Sequence, residues 1–175
     1  MSGPHTGSLP PPARIVQIGV VVRDMRAAME EYHRTLGWGP WSVFVLDGER
    51  HHHTHLHGEP SDYAMQIAVT TVDGIDYELI EPLRGPSIYE EFLEKHGEGV
   101  HHVLCTSPDG TEALNQRLVG AGMAVSMGGS VGKNLSYQYL EAPGVLGGVV
   151  IETYAGDVEP PTYVWPEEGT DGSVR

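Results

Sequence analysis

The chain says the same thing twice. Ile15–Val22 is an apolar run broken only by Gln17, which reads as a buried strand. Asp24 then stands before Met25–Leu36, where Met25, Ala28, Met29, Tyr32 and Leu36 recur at helical spacing, and Gly37 follows as a stop. Trp41–Leu46, Tyr63–Thr71 and Ile75–Ile80 read as strands, the last two joined by the hairpin signal Asp73–Gly74. The grammar then restarts. Val100–Cys105 is strand-like, Asp109 precedes a helix at Thr111–Ala121, and Ala124–Met127, Ser136–Glu141 and Val149–Thr153 are strands. Gln17 to Asp24 and His102 to Asp109 are both 7 residues; Gln17 to Gly37 and His102 to Gly122 are both 20. Each copy closes on a strand with one glutamate among apolar residues, Glu78 in the first and Glu152 in the second.

Such a repeat predicts an α+β fold of two βαβββ modules in one chain, residues 14–82 and 99–155. A short linking helix is expected at about 87–96, with Ser87 as its cap and Glu90 completing a capping box. Residues 1–13, rich in Gly, Pro and Ser, read as an arm, and residues 156–175 as an extended tail. Tyr163, Val164 and Trp165 are suited to dock that tail onto the body or a partner chain, which leaves a homodimer open.

A polar side chain inside an apolar strand is costly unless it is paired. Gln17 and His102 take equivalent places on the first strands, and Glu78 and Glu152 on the last. Packed around a pseudo-twofold, the four converge into an N/O site for one divalent ion, whose charge offsets two buried carboxylates. Any one of the four alone is more often a hydrogen-bonded core or edge residue than a ligand. Glu81, three residues from Glu78, falls on the other face of its strand and reads as solvated.

Charge removes other functions. With 10 basic and 24 acidic side chains the formal net charge is -14. No Lys/Arg cluster exists to neutralise nucleic-acid phosphates or to hold an anionic membrane. No apolar run approaches the ~20 residues of a membrane span. The N-terminus lacks the pattern of a secretory signal, and Cys105 is the only cysteine. Both fit a cytoplasmic location.

The stretches IVQIGVVVRDMRAAMEEYHRTLGWGPW, YELIEPLRGPSIYEEFLEKHGEGVHHV and GVLGGVVIETY resemble the vicinal oxygen chelate superfamily, in its glyoxalase I and methylmalonyl-CoA epimerase branch. The resemblance spans roughly residues 14–155. It implies paired βαβββ modules around one metal, held by Gln17, Glu78, His102 and Glu152. It places the third ligand at His102 rather than His101, and strand alternation is expected to set these two on opposite sides. Epimerases of this branch carry His and Gln at the first two ligand positions. The Gln-Glu-His-Glu set resembles that of zinc-type glyoxalase I.

The resemblance implies an isomerase, epimerase or lyase that moves a proton next to a carbonyl of a small molecule. Glu152 is expected as base and Glu78 as the opposing carboxylate, with Zn, Ni, Co, Mn or Fe all suitable. One alternative is an extradiol-type dioxygenase, whose triad of two histidines and one carboxylate Gln17 breaks. The other is a non-catalytic small-molecule binding protein. Trp38, Trp41, Phe44 and Met65 are candidates to line an apolar substrate pocket, with core packing as the plainer reading. Arg23, Arg26, Arg84 and Lys133 are the few candidates for acyl-CoA phosphates. Between the second and third strands stands HHHTHLHG. If extended, its His51, His53, His55 and His57 share a face. His53 and His55 are then candidates for a lip over the cleft, against a solvated loop as the other reading.

Overall fold

The structure, a computed structural model, describes residues 9–167. Most of the expected arm and the last part of the expected tail lie outside these. Residues 9–13 adopt no regular structure.

The first module is β1 (Arg14–Val21), α1 (Met25–Leu36), β2 (Trp41–Leu46), β3 (His51–Leu56), β4 (Glu59–Pro60), β5 (Ala64–Val72) and β6 (Ile75–Arg84). Then comes α2 (Ile88–His96). The second module is β7 (Gly99–Thr106), α3 (Thr111–Gly120), β8 (Ala124–Val131), β9 (Leu135–Glu141) and β10 (Val150–Ala155), followed by β11 (Tyr163–Trp165).

Local chemistry sets the helix ends. The Asp24 carboxylate accepts from the Ala27 N–H, and Gly37 ends α1 at φ 71°. Glu81 also accepts from the Met25 N–H at 2.8 Å and from Gln66 Nε2 at 2.9 Å, so it braces the start of α1 rather than facing water. Ser87 caps α2 through the Glu90 N–H. Asp109, the counterpart of Asp24, does not cap α3. Gly110 holds that place with no side-chain bond, and Asp109 pairs with Arg117.

Among the described residues the strands form one sheet, in the order β11-β2-β5-β6-β1-β7-β10-β9-β8-β3-β4. The modules meet at the antiparallel pair β1–β7, and its register carries the pseudo-twofold. Gln17 faces Leu104, and His102 faces Gly19, which is the same pair read from the other module. Glu78 lies beside Gly19 and Glu152 beside Leu104, again equivalent. A bulge precedes each of the two candidate ligands on this strand pair, Gln17 and His102. Val16 on β1 and His101 on β7 have no partner in the register.

Alternation along the strands then divides the side chains between two faces. One face buries Val20, Val22, Trp41, Val43 and Leu79 against Met25 and Met29 of α1. Val103, Leu140 and Ile151 pack against Leu114 and Leu118 of α3 in the same way. The other face lines a cleft. Ile88, Tyr89 and Leu93 of α2 enter the core that both modules share, with Ile80 from one and Tyr137 and Tyr139 from the other.

Two segments cross between modules. The histidine run is a strand, not a loop: β3 pairs with β8 of the second module. The tail returns to the first module, where β11 pairs with β2. They meet at Arg50. Its carbonyl accepts from the Gly132 N–H, and its guanidinium reaches Glu159, Pro160 and Thr162, each at 3.4 Å.

Candidate metal centre and active-site cleft

Three of the four predicted ligands converge in the cleft. His102 Nε2 lies 2.9 Å from Glu152 Oε2 and 3.6 Å from Glu78 Oε2. One potential ligand atom from each of the three lies within 4.8 Å of the others, and all three residues are buried. Gln17, from β1, lines the same cavity and lowers the Glu78 carboxyl pKa against the other influences on it.

The electrostatics of this cluster are unfavourable without a cation. Burial, and then the neighbouring Glu152, push the Glu78 carboxyl well above its usual range, while Gln17 opposes them. His102 Nε2 and Glu152 Oε2 are close yet have no hydrogen-bond partner. Two buried, converging lone-pair atoms without a proton directed between them are what a divalent ion needs. Tetrahedral ligands ~2.0–2.2 Å from such an ion stand roughly 3.3–3.6 Å apart, so the 3.6 Å His102–Glu78 spacing already fits and the 2.9 Å His102–Glu152 spacing needs to open by only a few tenths of an ångström. The donor set, one imidazole and two or three oxygens, suits the borderline divalent metals.

Gly19 makes room for this arrangement. A Cβ there would lie 2.0 Å from His102 Cε1, so the imidazole rests directly on the β1 backbone. His101 is not turned away from His102 as alternation predicts. The bulge brings its Nδ1 within 3.1 Å of His102 Nδ1. Burial, then the charge of His102, hold its pKa at about 3, so it is neutral.

The cleft forms a cavity of about 560 Å³ lined by Gln17, Glu78 and Glu152 and, among apolar residues, by Phe44, Leu46, Met65 and Ile67. Phe44 and Met65 are therefore where the sequence placed them. Trp41 and Trp38 are not. Trp41, three residues from Phe44 on one strand, must face the other side and is buried beneath α1. Trp38 stacks on Tyr32 in that same outer layer. His53 and His55 line a separate groove beside α3 instead of a lip over the cleft. His53 adopts φ 53° and the register slips between His52 and His55, which ends the expected shared face.

Sequence reasoning missed the tyrosines. Tyr89, Tyr137 and Tyr139 line the cavity. Tyr89 donates to the Tyr139 hydroxyl at 2.6 Å, so Tyr139 keeps its own proton to donate. Tyr63 donates to the Gly128 carbonyl and accepts from Tyr137, which in turn accepts from His51 Nε2 at 2.6 Å. The signal was present: Tyr137 and Tyr139 alternate on one strand, and a buried hydroxyl needs a partner.

Residues 16–139 match the model of the Glyoxalase/Bleomycin resistance protein/Dioxygenase superfamily. The chain belongs to this superfamily. Its fold is the vicinal oxygen chelate fold of that group. The methylmalonyl-CoA epimerase of Mycobacterium tuberculosis is 24% identical, with TM-score 0.55 over 82% of this chain and 88% of that one. A methylmalonyl-CoA epimerase solved with methylmalonyl-CoA and NH4+ is 26% identical, with TM-score 0.56 over 85% and 98%. A 4-hydroxymandelate synthase variant from Streptomyces coelicolor is 17% identical, with TM-score 0.56 over 86% of this chain and 40% of that one. No curated protein matches the chain in sequence.

Proposed function

We propose that this protein is a metal-dependent isomerase, epimerase or lyase that moves a proton next to a carbonyl of a small molecule. The supporting observation is the buried set Glu78, His102 and Glu152, in which His102 Nε2 and Glu152 Oε2 have no hydrogen-bond partner, beside an otherwise largely apolar cavity that Glu78 and Glu152 line. Epimerases among the structural neighbours are in keeping with it.

Gln17, Glu78, His102 and Glu152 would hold one divalent ion, which supplies Lewis acidity toward a substrate oxygen. Glu152 is the base that takes the carbon-bound proton, and Glu78 is the opposing carboxylate. Tyr139 has a hydroxyl proton to offer to a substrate oxygen that gains charge. The apolar wall of Phe44, Met65 and Ile67 orients a hydrophobic body and excludes water. An extradiol dioxygenase is less well supported, because that chemistry takes two histidines and one carboxylate, and the set here is one histidine and two carboxylates.

The test combines metal analysis with solvent exchange. The purified protein should bind about one divalent ion, and Glu152→Gln should retain most of it. A panel of hemithioacetals, acyl thioesters and α-hydroxycarbonyls in D2O should include a compound that gains deuterium beside its carbonyl. Glu152→Gln should slow that exchange at least ~100-fold. Undiminished exchange in Glu152→Gln would move the base elsewhere. Oxygen uptake with Fe(II) and a catechol would replace the proposal with dioxygenase chemistry.

A further inference from the structure

We infer that His101 is a positioning residue that fixes the tautomer and ring orientation of His102. The inference rests on the metal-site reading above. An imidazole can ligate an ion only through a nitrogen that carries no proton. In His102 that nitrogen is Nε2, the atom facing Glu78 and Glu152. The single proton of the neutral ring must then sit on Nδ1, and it needs an acceptor in this buried place.

The acceptor is His101 Nδ1, 3.1 Å away. Carboxylates and backbone carbonyls usually serve a metal-bound histidine in this way. Here a second imidazole does so, with its own proton placed on Nε2 by the same logic. The β7 bulge makes the contact available, since regular alternation would hold adjacent rings on opposite faces. Aromatic edges then lock the His101 ring. Its centroid lies 5.4 Å from that of Tyr89, 5.1 Å from Phe92 and 6.1 Å from Tyr139. Tyr89 and Tyr139 belong to the cavity wall, so the support of His102 is continuous with the substrate site.

Two substitutions separate positioning from packing. His101→Asn places its amide oxygen where Nδ1 stood and keeps the acceptor, but loses ring area. His101→Phe keeps the ring among Tyr89, Phe92 and Tyr139 but removes the acceptor. The probe is Zn²⁺, its affinity measured by competition with a chromophoric chelator on folded, metal-stripped protein. Positioning predicts that His101→Phe weakens Zn²⁺ binding 10–100-fold, while His101→Asn stays within about threefold of wild type. Packing alone predicts the reverse order, and that result overturns the inference. Should His101→Phe not fold, His101→Gln replaces it. Its amide reaches the Nε2 position instead of Nδ1, so it should lose affinity where His101→Asn does not. Wild type that takes up no ion at saturating Zn²⁺ would overturn the metal-site reading and this inference with it. Unchanged affinity in His101→Phe, with wild type binding, would overturn this inference alone.

Discussion

Gly19 shows how a side chain that does not exist can shape a site. The His102 ring occupies the space a Cβ at residue 19 would fill, 2.0 Å from Cε1. Gly19→Ala should therefore displace the ring without disturbing α1 or α3, and weaken Zn²⁺ binding at least ~10-fold. Chelator competition measures this, and wild-type affinity in the variant would show that the ring has room to yield. His51 offers a residue-scale test remote from the ligands. Burial lowers its pKa from the ordinary 6.5. As pH falls below 6.5, the unfolded chain takes up a proton that the folded state resists, so stability drops with pH, by at most about 1.4 kcal/mol per pH unit. His51→Gln keeps a donor for Tyr137 and has no group that titrates. Between pH 7.5 and 5.5 its urea midpoint should fall less than that of wild type. Equal slopes would mean that His51 is protonated as readily folded as unfolded.

At the scale of elements, β6 serves two purposes through its two faces. Glu78 points into the cleft, while Glu81 turns outward and ties β6 to the first turn of α1 and to Gln66 on β5. A carboxylate at a helix N-terminus is also favoured by the helix dipole. Glu81→Ala would strand the Met25 N–H and the Gln66 amide, at a cost of about 1–3 kcal/mol. Asp24→Ala removes the neighbouring cap for about 1 kcal/mol. Urea unfolding of both variants checks the ranking. A smaller loss for Glu81→Ala than for Asp24→Ala would mean that water replaces the carboxylate without penalty.

Across the whole molecule, the crossing of β3 and β11 ties each module to a segment that leaves the other. Arg50 stands where the two segments meet, with its guanidinium on Glu159, Pro160 and Thr162. Trp165 adds a hold, with the Arg26 guanidinium 4.7 Å above its ring. Each contact is partly exposed, and the Arg50–Glu159 ion pair contributes about 0–1 kcal/mol. Arg50→Met should therefore leave the fold intact while loosening residues 157–162. Limited proteolysis read by mass spectrometry should show faster cleavage in that stretch. Cleavage at the wild-type rate would show that β11 and Trp165 hold the tail without Arg50. Val158 and Glu159 line the cavity, so the same loosening should admit larger ligands.

The sequence alone pointed to the two-module repeat, the span of α1 with both of its caps, and the meeting of Glu78, His102 and Glu152. These are legible because they rest on local periodicity, and on polar residues that stand out in apolar strands. Even the placement of Trp41 was within reach, since Phe44 lies three residues along the same strand and parity forbids both from facing the cleft. Tertiary structure decided the rest. The bulge at His101, the seat of Gly19 beneath an imidazole, the duty of Glu81 and the pairing of the histidine run with β8 all depend on strands distant in sequence. A strand's own residues encode which face is apolar. They do not encode which backbone will lie beside it, and that neighbour decides where alternation is broken and which side chains meet.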